Sequence, residues 1–479
     1  MRFSDSIRLR VTVPPLAVVF SIILTMPLWS QTENTTPQQP VPPLVGMDNG
    51  TPIADGYAPE TDNTRMLVPP PVSGRTYTVL PLSQERSNYL RYGVSFTGAY
   101  SDNALGGANG HPISDVSYSA APILELDETT SRMEWVARYA PGFTFYQRTS
   151  ELNAADHNAL IDFRYRLSPH VSFDAQDTFQ KSSSVFNQPN YGSSGGVSGG
   201  AQQANFSVIT PIADRLSNSG NVSLTYQFAL NSMIGGNGTV SNLHYPNPEQ
   251  VPGLYDSSSQ GGSAFYSHRF SKSHYLGATY QYQRLVTSLP GAPNETQTHA
   301  VLVFYTVYPT TRFSISLFGG PQHSDTVQPA LPPLEPQPFE SQEWTPAAGA
   351  SLSWQGRLNS LAVSYSHIIS GGGGLIGAVR MDNATASFRQ QISRHFSASV
   401  DGAYVQNNVI GSESFGLYSG HTVSGTASLQ RELGQHFAVQ LGYTRIHQTY
   451  SNIAVIALAP DTNREFVSFT YQFSRPLGR

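Results

Sequence analysis

The chain has no cysteine, little charge, little tryptophan and few long apolar runs. Its 479 residues include four Trp and only 12% charged residues, about half the charged share of an average soluble globular protein. The absence of cysteine excludes disulfides, thiolate metal sites and a thiol nucleophile. A net charge of −5, spread along the chain, argues against nucleic acid as a partner.

The one long apolar run lies at the N-terminus. Basic residues up to Arg10 precede an almost wholly apolar segment, 11–29, and the small residue Ser30 follows. This order is typical of a secretory signal peptide, and we expect residues 1–30 to be removed. The alternative is an uncleaved anchor helix. That alternative is disfavoured because the run contains three prolines and is close to the lower length limit for a membrane span, about 17 residues.

Residues 31–88 differ from the rest of the chain. Proline recurs throughout the segment and reaches the run Pro69-Pro70-Pro71, which favours an extended, largely disordered chain over a sheet. We interpret the segment as a periplasmic lead-in. The alternative is a small plug, with residues 77–82 at the mouth of a lumen.

The clearest pattern is in residues 465–473. Val467, Phe469, Tyr471 and Phe473 share one face of a strand, and polar residues alternate with them, because side chains alternate across a strand. The same alternation recurs from Leu90 onward, with an aromatic residue near one end of most strands. Aromatic residues at strand ends are typical of transmembrane β-barrels, where they form girdles at both membrane interfaces.

The connections between these strands alternate between short turns and long loops. Ala213–Gly220 is one of the predicted short turns, and Asn231–Gly262 and Gly320–Glu343 are the largest predicted loops. The alternation predicts an all-β fold, an antiparallel up-and-down transmembrane β-barrel of about 18 strands over residues 89–479, with 16 strands as the alternative. A soluble protein with several packed sheets is the competing architecture.

The signal peptide, the alternating connections and the final strand together resemble the outer-membrane β-barrel family in the porin-like size range. The resemblance implies the outer membrane of a Gram-negative-type bacterium, with lipid as a partner and no cofactor. It also implies that Val467, Phe469, Tyr471 and Phe473 form the strand read by the barrel-assembly machinery. Here six residues follow Phe473, whereas the family's chains stop at the aromatic residue.

With the aromatic faces outward, a set of charged residues is predicted to face the lumen. Rings or ladders of such charges set ion selectivity in pores, and the alternative is that they pair across strands and stiffen the wall. The predicted lumen-lining residues are Arg91, Arg132, Glu134, Arg138, Asp162, Arg164, Arg166, Asp174, Arg269, Arg389 and Asp401.

The histidines do not suggest an enzyme. Four of the 13, His170, His274, His395 and His436, fall at predicted periplasmic turns, where amphipathic side chains suit the membrane boundary. No H-E-x-x-H motif accompanies them. We therefore predict no catalytic, metal or cofactor residues.

The function favoured by the sequence is a porin-like channel for passive diffusion of small solutes through a polar lumen. The alternatives are a barrel for export of an exopolysaccharide, a surface-binding or anchoring barrel whose lumen is blocked, and a barrel enzyme acting on lipid or peptide. The solute, the pore radius and the oligomeric state are left open by the sequence.

Overall fold

The computed structural model contains a closed antiparallel β-barrel of 18 strands. It describes residues 88–104, 112–183, 208, 214–310, 312–330, 337–411, 418–450, 453 and 461–477. The predicted signal peptide and almost all of the predicted lead-in lie outside these residues. The predicted barrel, with 18 strands in preference to 16, is confirmed.

The strands are β1 (Tyr89–Ser101), β2 (Asp115–Thr129), β3 (Met133–Tyr146), β4 (Ala154–Ser168), β5 (Val171–Ser182), β6 (Arg215–Ala229), β7 (Ser232–His244), β8 (Ser257–Ser271), β9 (His274–Thr287), β10 (Asn294–Thr310), β11 (Phe313–Gln328), β12 (Phe339–Gln355), β13 (Asn359–Ser370), β14 (Val379–Ser393), β15 (Phe396–Val409), β16 (Gly420–Leu433), β17 (Phe437–Tyr450) and β18 (Asp461–Pro476).

Each strand pairs with the next one along the chain, and β18 returns to pair with β1 over the whole length of β1, from Tyr89 opposite Pro476 to Ser101 opposite Arg464. An even number of strands makes this last pairing antiparallel as well. The sheet is therefore closed without a free edge, which is the condition for a β-structure to span a membrane.

Eight connections contain two or three residues, and the other nine contain six to 32. The short turns share one end of the barrel, which we call the periplasmic end, and the long connections share the extracellular end. Two short 3-10 turns, Ser150–Leu152 and Pro248–Gln250, lie in long connections. None of the helices in the described part of the chain has the length and apolar content to cross a membrane.

Strand alternation separates an apolar outer face from a mainly hydroxylated inner face. The outward Phe96, Leu224, Val301 and Val400 leave between 49% and 56% of their surface exposed, as lipid-facing side chains must. Inward hydroxyls pair across strands, for example Ser95 with Ser468, 2.8 Å between their oxygens. Because only lipid can cover so broad an exposed apolar band favourably, the chain is a transmembrane β-barrel embedded in lipid.

One part of the predicted strand arrangement is wrong. Residues 215–220 belong to β6 and not to a turn, while the predicted loop 231–262 contains all of β7 and the start of β8. The glycine-rich run in β7 concealed the strand, since glycine weakens strands. In β7 it is tolerated because Gly235 lies opposite Phe265 of β8, whose ring covers it: a Cβ at residue 235 would lie 2.6 Å from Phe265 Cε1.

Candidate functional site in the barrel interior

A charged triad lies on the inner wall of β3, β4 and β5. Arg164 is opposite Glu134 on one side and Asp174 on the other. Its Nε donates to Asp174 Oδ1 at 2.8 Å, and its NH1 group lies 3.4 Å from Glu134 Oε2. The Arg164 side chain is 40% exposed although it points into the barrel, so the triad borders open space inside the wall.

A second charged group lies on the same wall, in β1 and β2. Arg91 donates to Glu125 at 2.7 Å, and its other terminal nitrogen lies 3.8 Å from Asp127 Oδ2. All three residues are buried. Burial of a charge is costly unless it is paired, and here one guanidinium serves two carboxylates.

Two more arginines continue this wall. Arg138 of β3 lies opposite Glu125, and Arg166 of β4 lies opposite Ser172. Neither guanidinium makes an ion pair with any residue that the structure describes. Arg138 and Arg166 are therefore cationic groups of this wall that are not neutralised by a carboxylate among the described residues.

The remaining predicted residues are dispersed. Asp162 faces inward between Val136 and Gln176, Arg389 faces inward between Ser360 and Ser399, and Asp401 accepts a 2.6 Å hydrogen bond from Ser387. Arg269 is buried at the periplasmic end, where it donates to the Asn231 side chain at 3.2 Å. Arg132 is exposed in the β2–β3 turn and not on a strand.

The extracellular part of the lumen contains an apolar cluster, which we call the apolar bridge. It joins inward side chains of distant strands, including Leu243 of β7 and Val405 of β15, to the connection residues Leu375 and Ile376. β7 and β15 are eight strands apart in a ring of 18, so they stand on nearly opposite walls. The bridge therefore crosses the lumen.

The short connection 371–378, which follows β13, contributes residues to the apolar bridge and extends toward β7–β10. Leu375 and Ile376 are buried, with 0% and 1% exposure. The Ile376 carbonyl accepts from Asn294 Nδ2 at 3.0 Å, and the Gly374 carbonyl accepts from the Tyr255 amide at 2.7 Å. These bonds hold a surface connection inside the barrel.

Tyr245 anchors the same connection. Its hydroxyl lies 3.3 Å from the Gly373 carbonyl oxygen, to which it donates. Burial raises the pKa of Tyr245 to about 12, against the opposing charge of Arg215. The hydroxyl therefore keeps its proton, and its ability to donate, throughout the physiological pH range.

Sequence reasoning did not find the bridge. It placed the largest loops at 231–262 and 320–343, but strands occupy most of both segments, and the connection between β11 and β12 is only 329–338. The connection that enters the lumen is short. The feature of the sequence that pointed to it was Leu375-Ile376, an apolar pair in a predicted loop immediately after four glycines.

The four predicted turn histidines do lie at the periplasmic end. His170 and His436 each place the ring Nδ1 3.1 Å from a carbonyl of a neighbouring strand, that of Gln227 and that of Gln472. His274 lies 2.6 Å from the Tyr305 hydroxyl. No group of three or more His, Asp or Glu residues suited to a metal ion exists among the residues described.

Comparison with known proteins gives likeness of overall structure only. No protein-family model and no curated protein matches the chain. Among solved structures, OccAB4 of Acinetobacter baumannii is 9% identical, with 81% of this chain and 99% of that chain covered and a TM-score of 0.38. The outer membrane protein OprD of Pseudomonas aeruginosa is 8% identical, with coverages of 81% and 94% and a TM-score of 0.36. The ferric citrate transporter FecA is 10% identical, with coverages of 78% and 62% and a TM-score of 0.39.

Proposed function

We propose that this barrel is a channel for small polar solutes, with the charged wall of β1–β5 as its selectivity surface. The observation that carries the proposal is the exposure of the Arg164 triad inside the barrel: the Arg164 and Glu134 side chains are 40% and 32% exposed although both face inward. Charged groups gain from such exposure only where water reaches them. Water beside the inner wall provides a polar path.

Charges of both signs line this wall, with carboxylates in excess. The inward residues of β1–β5 include four arginines, at 91, 138, 164 and 166, and seven carboxylates, at 115, 125, 127, 134, 156, 162 and 174, which gives a net charge of −3. Such a wall favours cations. Loss of one guanidinium changes the balance in a defined direction, because selectivity follows the charge that lines a pore.

The test is ion selectivity of the refolded protein in planar bilayers under a salt gradient. Arg164→Ser leaves Glu134 and Asp174 without their cation, so the reversal potential should move toward stronger cation selectivity. Glu134→Gln should move it in the opposite direction. Arg431→Ser is the matched control, because Arg431 is exposed on the outer face near the periplasmic end and should leave the reversal potential unchanged.

Equal selectivity in the wild type and both inward variants would contradict the assignment of this wall. A barrel that inserts and never conducts would contradict the channel itself. That second result would favour a surface-binding barrel with a closed lumen, for which the apolar bridge is the supporting observation.

A further inference from the structure

Among the described residues, a belt of histidines lies on the outer face of the barrel at its extracellular end. Seven histidines face outward there, at 157, 244, 299, 323, 367, 421 and 447, and most contact a carboxylate or a tyrosine of a neighbouring strand. At the periplasmic end the outward side chains include Leu230, Phe270 and Phe437, which are more than half exposed. The two ends therefore suit headgroup layers of different chemistry.

The belt is densest on β16–β18, in a patch formed by His421, Arg445, His447 and Asp461. Asp461 Oδ1 lies 3.2 Å from an Arg445 terminal nitrogen and 3.1 Å from His447 Nδ1. The His421 and His447 rings are 5.5 Å apart. One carboxylate thus orients a guanidinium and an imidazole side by side, with a second imidazole adjacent.

The patch keeps donors available for a ligand. The Arg445 side chain is 61% exposed, and one of its terminal nitrogens contacts Asp461, so other N–H groups of the planar guanidinium fork remain for a partner. His421 makes ring contacts with Tyr404 and His447 but no hydrogen bond within the described residues. Several N–H donors around one orienting carboxylate suit a phosphate oxygen.

The height of the patch indicates the size of the headgroup. On β17 the outward sequence runs from Leu441 through Tyr443 and Arg445 to His447. Tyr443 marks the interface, and the four residues from there to His447 rise about 10 Å in a strand tilted by about 40°. The headgroup layer of an ordinary bilayer is about 5–8 Å thick on each side, so the upper part of the patch lies beyond a simple phosphodiester headgroup.

We propose that this patch binds the phosphate-bearing sugar headgroup of an outer-leaflet glycolipid. Arg445 and His421 donate to the phosphate, while Asp461 holds Arg445 and His447 in place. His447, whose Nε2 lies 3.1 Å from the Thr449 hydroxyl, positions the neighbouring His421 ring. The neighbouring Tyr443 hydroxyl, which donates to Asn463 Oδ1 at 2.6 Å, and Asp102, which accepts from Asn463 Nδ2 at 2.6 Å, extend the polar surface toward the sugar hydroxyls.

The test uses the refolded full-length barrel in detergent, with diphosphoryl lipid A as the glycolipid probe and phosphatidylglycerol as the comparison lipid. Native mass spectrometry counts the lipid molecules that remain bound. We expect the wild type to retain lipid A in preference to phosphatidylglycerol. The variant His421→Gln/Arg445→Gln/His447→Gln should bind lipid A about tenfold more weakly or worse, since it loses several hydrogen bonds to a charged group.

The control variant is Arg431→Gln/His268→Gln, which removes outward cationic and imidazole groups near the periplasmic end. It should bind lipid A like the wild type. Heat-modifiable electrophoretic migration verifies that each variant forms the barrel. Equal retention of lipid A and phosphatidylglycerol by the wild type, or equal lipid A binding by a folded triple variant, would overturn the proposal. So would equal losses in the patch and control variants.

Discussion

Gly277 of β9 lies directly opposite Phe304 of β10, and the phenyl ring covers the glycine on the inner wall. Four further pairs repeat this relationship: Gly235 with Phe265, Gly349 with Phe318, Gly442 with Phe466 and Gly420 with Tyr450. Each inward aromatic ring fills the volume that a side chain would take on the neighbouring strand. The inner wall is therefore packed by complementary pairs.

Replacing one of these glycines should destabilise the barrel. Gly277→Ala places a methyl group against the Phe304 ring and the Tyr266 carbonyl, and overpacking of this kind costs about 1–3 kcal/mol. Urea unfolding in micelles, followed by tryptophan fluorescence, measures the change. Gly98→Ala is the control, because no atom lies within 4 Å of the added methyl group. Equal stability of the two variants would show that the ring moves aside freely.

Two arginine–glutamate pairs of similar length should contribute very differently to stability. Arg91 and Glu125 are 2.7 Å apart and buried, whereas Arg284 and Glu295 are 2.6 Å apart with 43% and 26% of their side chains exposed. Arg91→Ala leaves buried carboxylates without a cation and should cost about 3 kcal/mol. Arg284→Ala should cost far less, because solvent screens the charges of an exposed ion pair.

The same unfolding experiment compares the two variants. Adding Glu125→Gln to Arg91→Ala should recover part of the loss, since an uncharged amide is less costly to bury. A loss of equal size in both single variants would mean that the Arg91 pair is as well solvated as the surface pair.

Opening the apolar bridge should raise conductance. Leu375→Ser/Ile376→Ser replaces two fully buried apolar side chains with hydroxyls, and each loss of packing of this size costs about 2–5 kcal/mol. The connection 371–378 should then leave the lumen. Single-channel recording should show a larger and noisier conductance than the wild type. Leu358→Ser, in an exposed periplasmic turn, should conduct like the wild type.

The assignment of the lipid-facing and lumen-facing sides can be tested on β15 by placing an arginine at each of two adjacent positions in turn. Val400 faces outward and is 56% exposed, whereas Ser399 faces inward and bonds to Ser428 at 2.8 Å. Val400→Arg places a charge against lipid and should cost about 2–4 kcal/mol near the bilayer midplane. Ser399→Arg should cost less because its guanidinium can reach water. The folding yield of each variant in lipid vesicles across a urea series gives the two free-energy costs. A larger cost for Ser399→Arg than for Val400→Arg would mean that the two faces are assigned the wrong way round.

The alternation of apolar and polar residues alone predicted most of the fold. The faces containing Tyr92, Phe163 and Val467 are those that point to lipid in the structure, because a strand exposed to lipid on one side must present apolar residues at every second position. β7 was missed because five of its 13 residues are Gly or Asn, which interrupt the alternation of apolar and polar residues. Its pairing depends on Phe265, which is supplied by another strand.

The interior was less predictable than the outer face. Alternation places Arg164 and Glu134 on the inner face, but only the register of β3 against β4 brings them opposite each other. The apolar bridge depends on residues as distant in sequence as Leu243 and Val405, so no local pattern contains it. The outward histidines were likewise scattered singly through the sequence, and they form a belt only when the strands stand side by side.

The pairing of β1 with β18 constrains the order in which the barrel assembles. The residues that face each other there are separated by 363 to 387 positions in the chain, so this seam cannot form until the last strand has been made and delivered. Until then β1 and β17 are both edge strands with unpaired backbone groups, and each can pair with a strand from another chain. The pairing of β1 with β18 thus converts an open, aggregation-prone sheet into a closed barrel. A chain that lacks β18 should therefore fail to close and should be degraded in the cell.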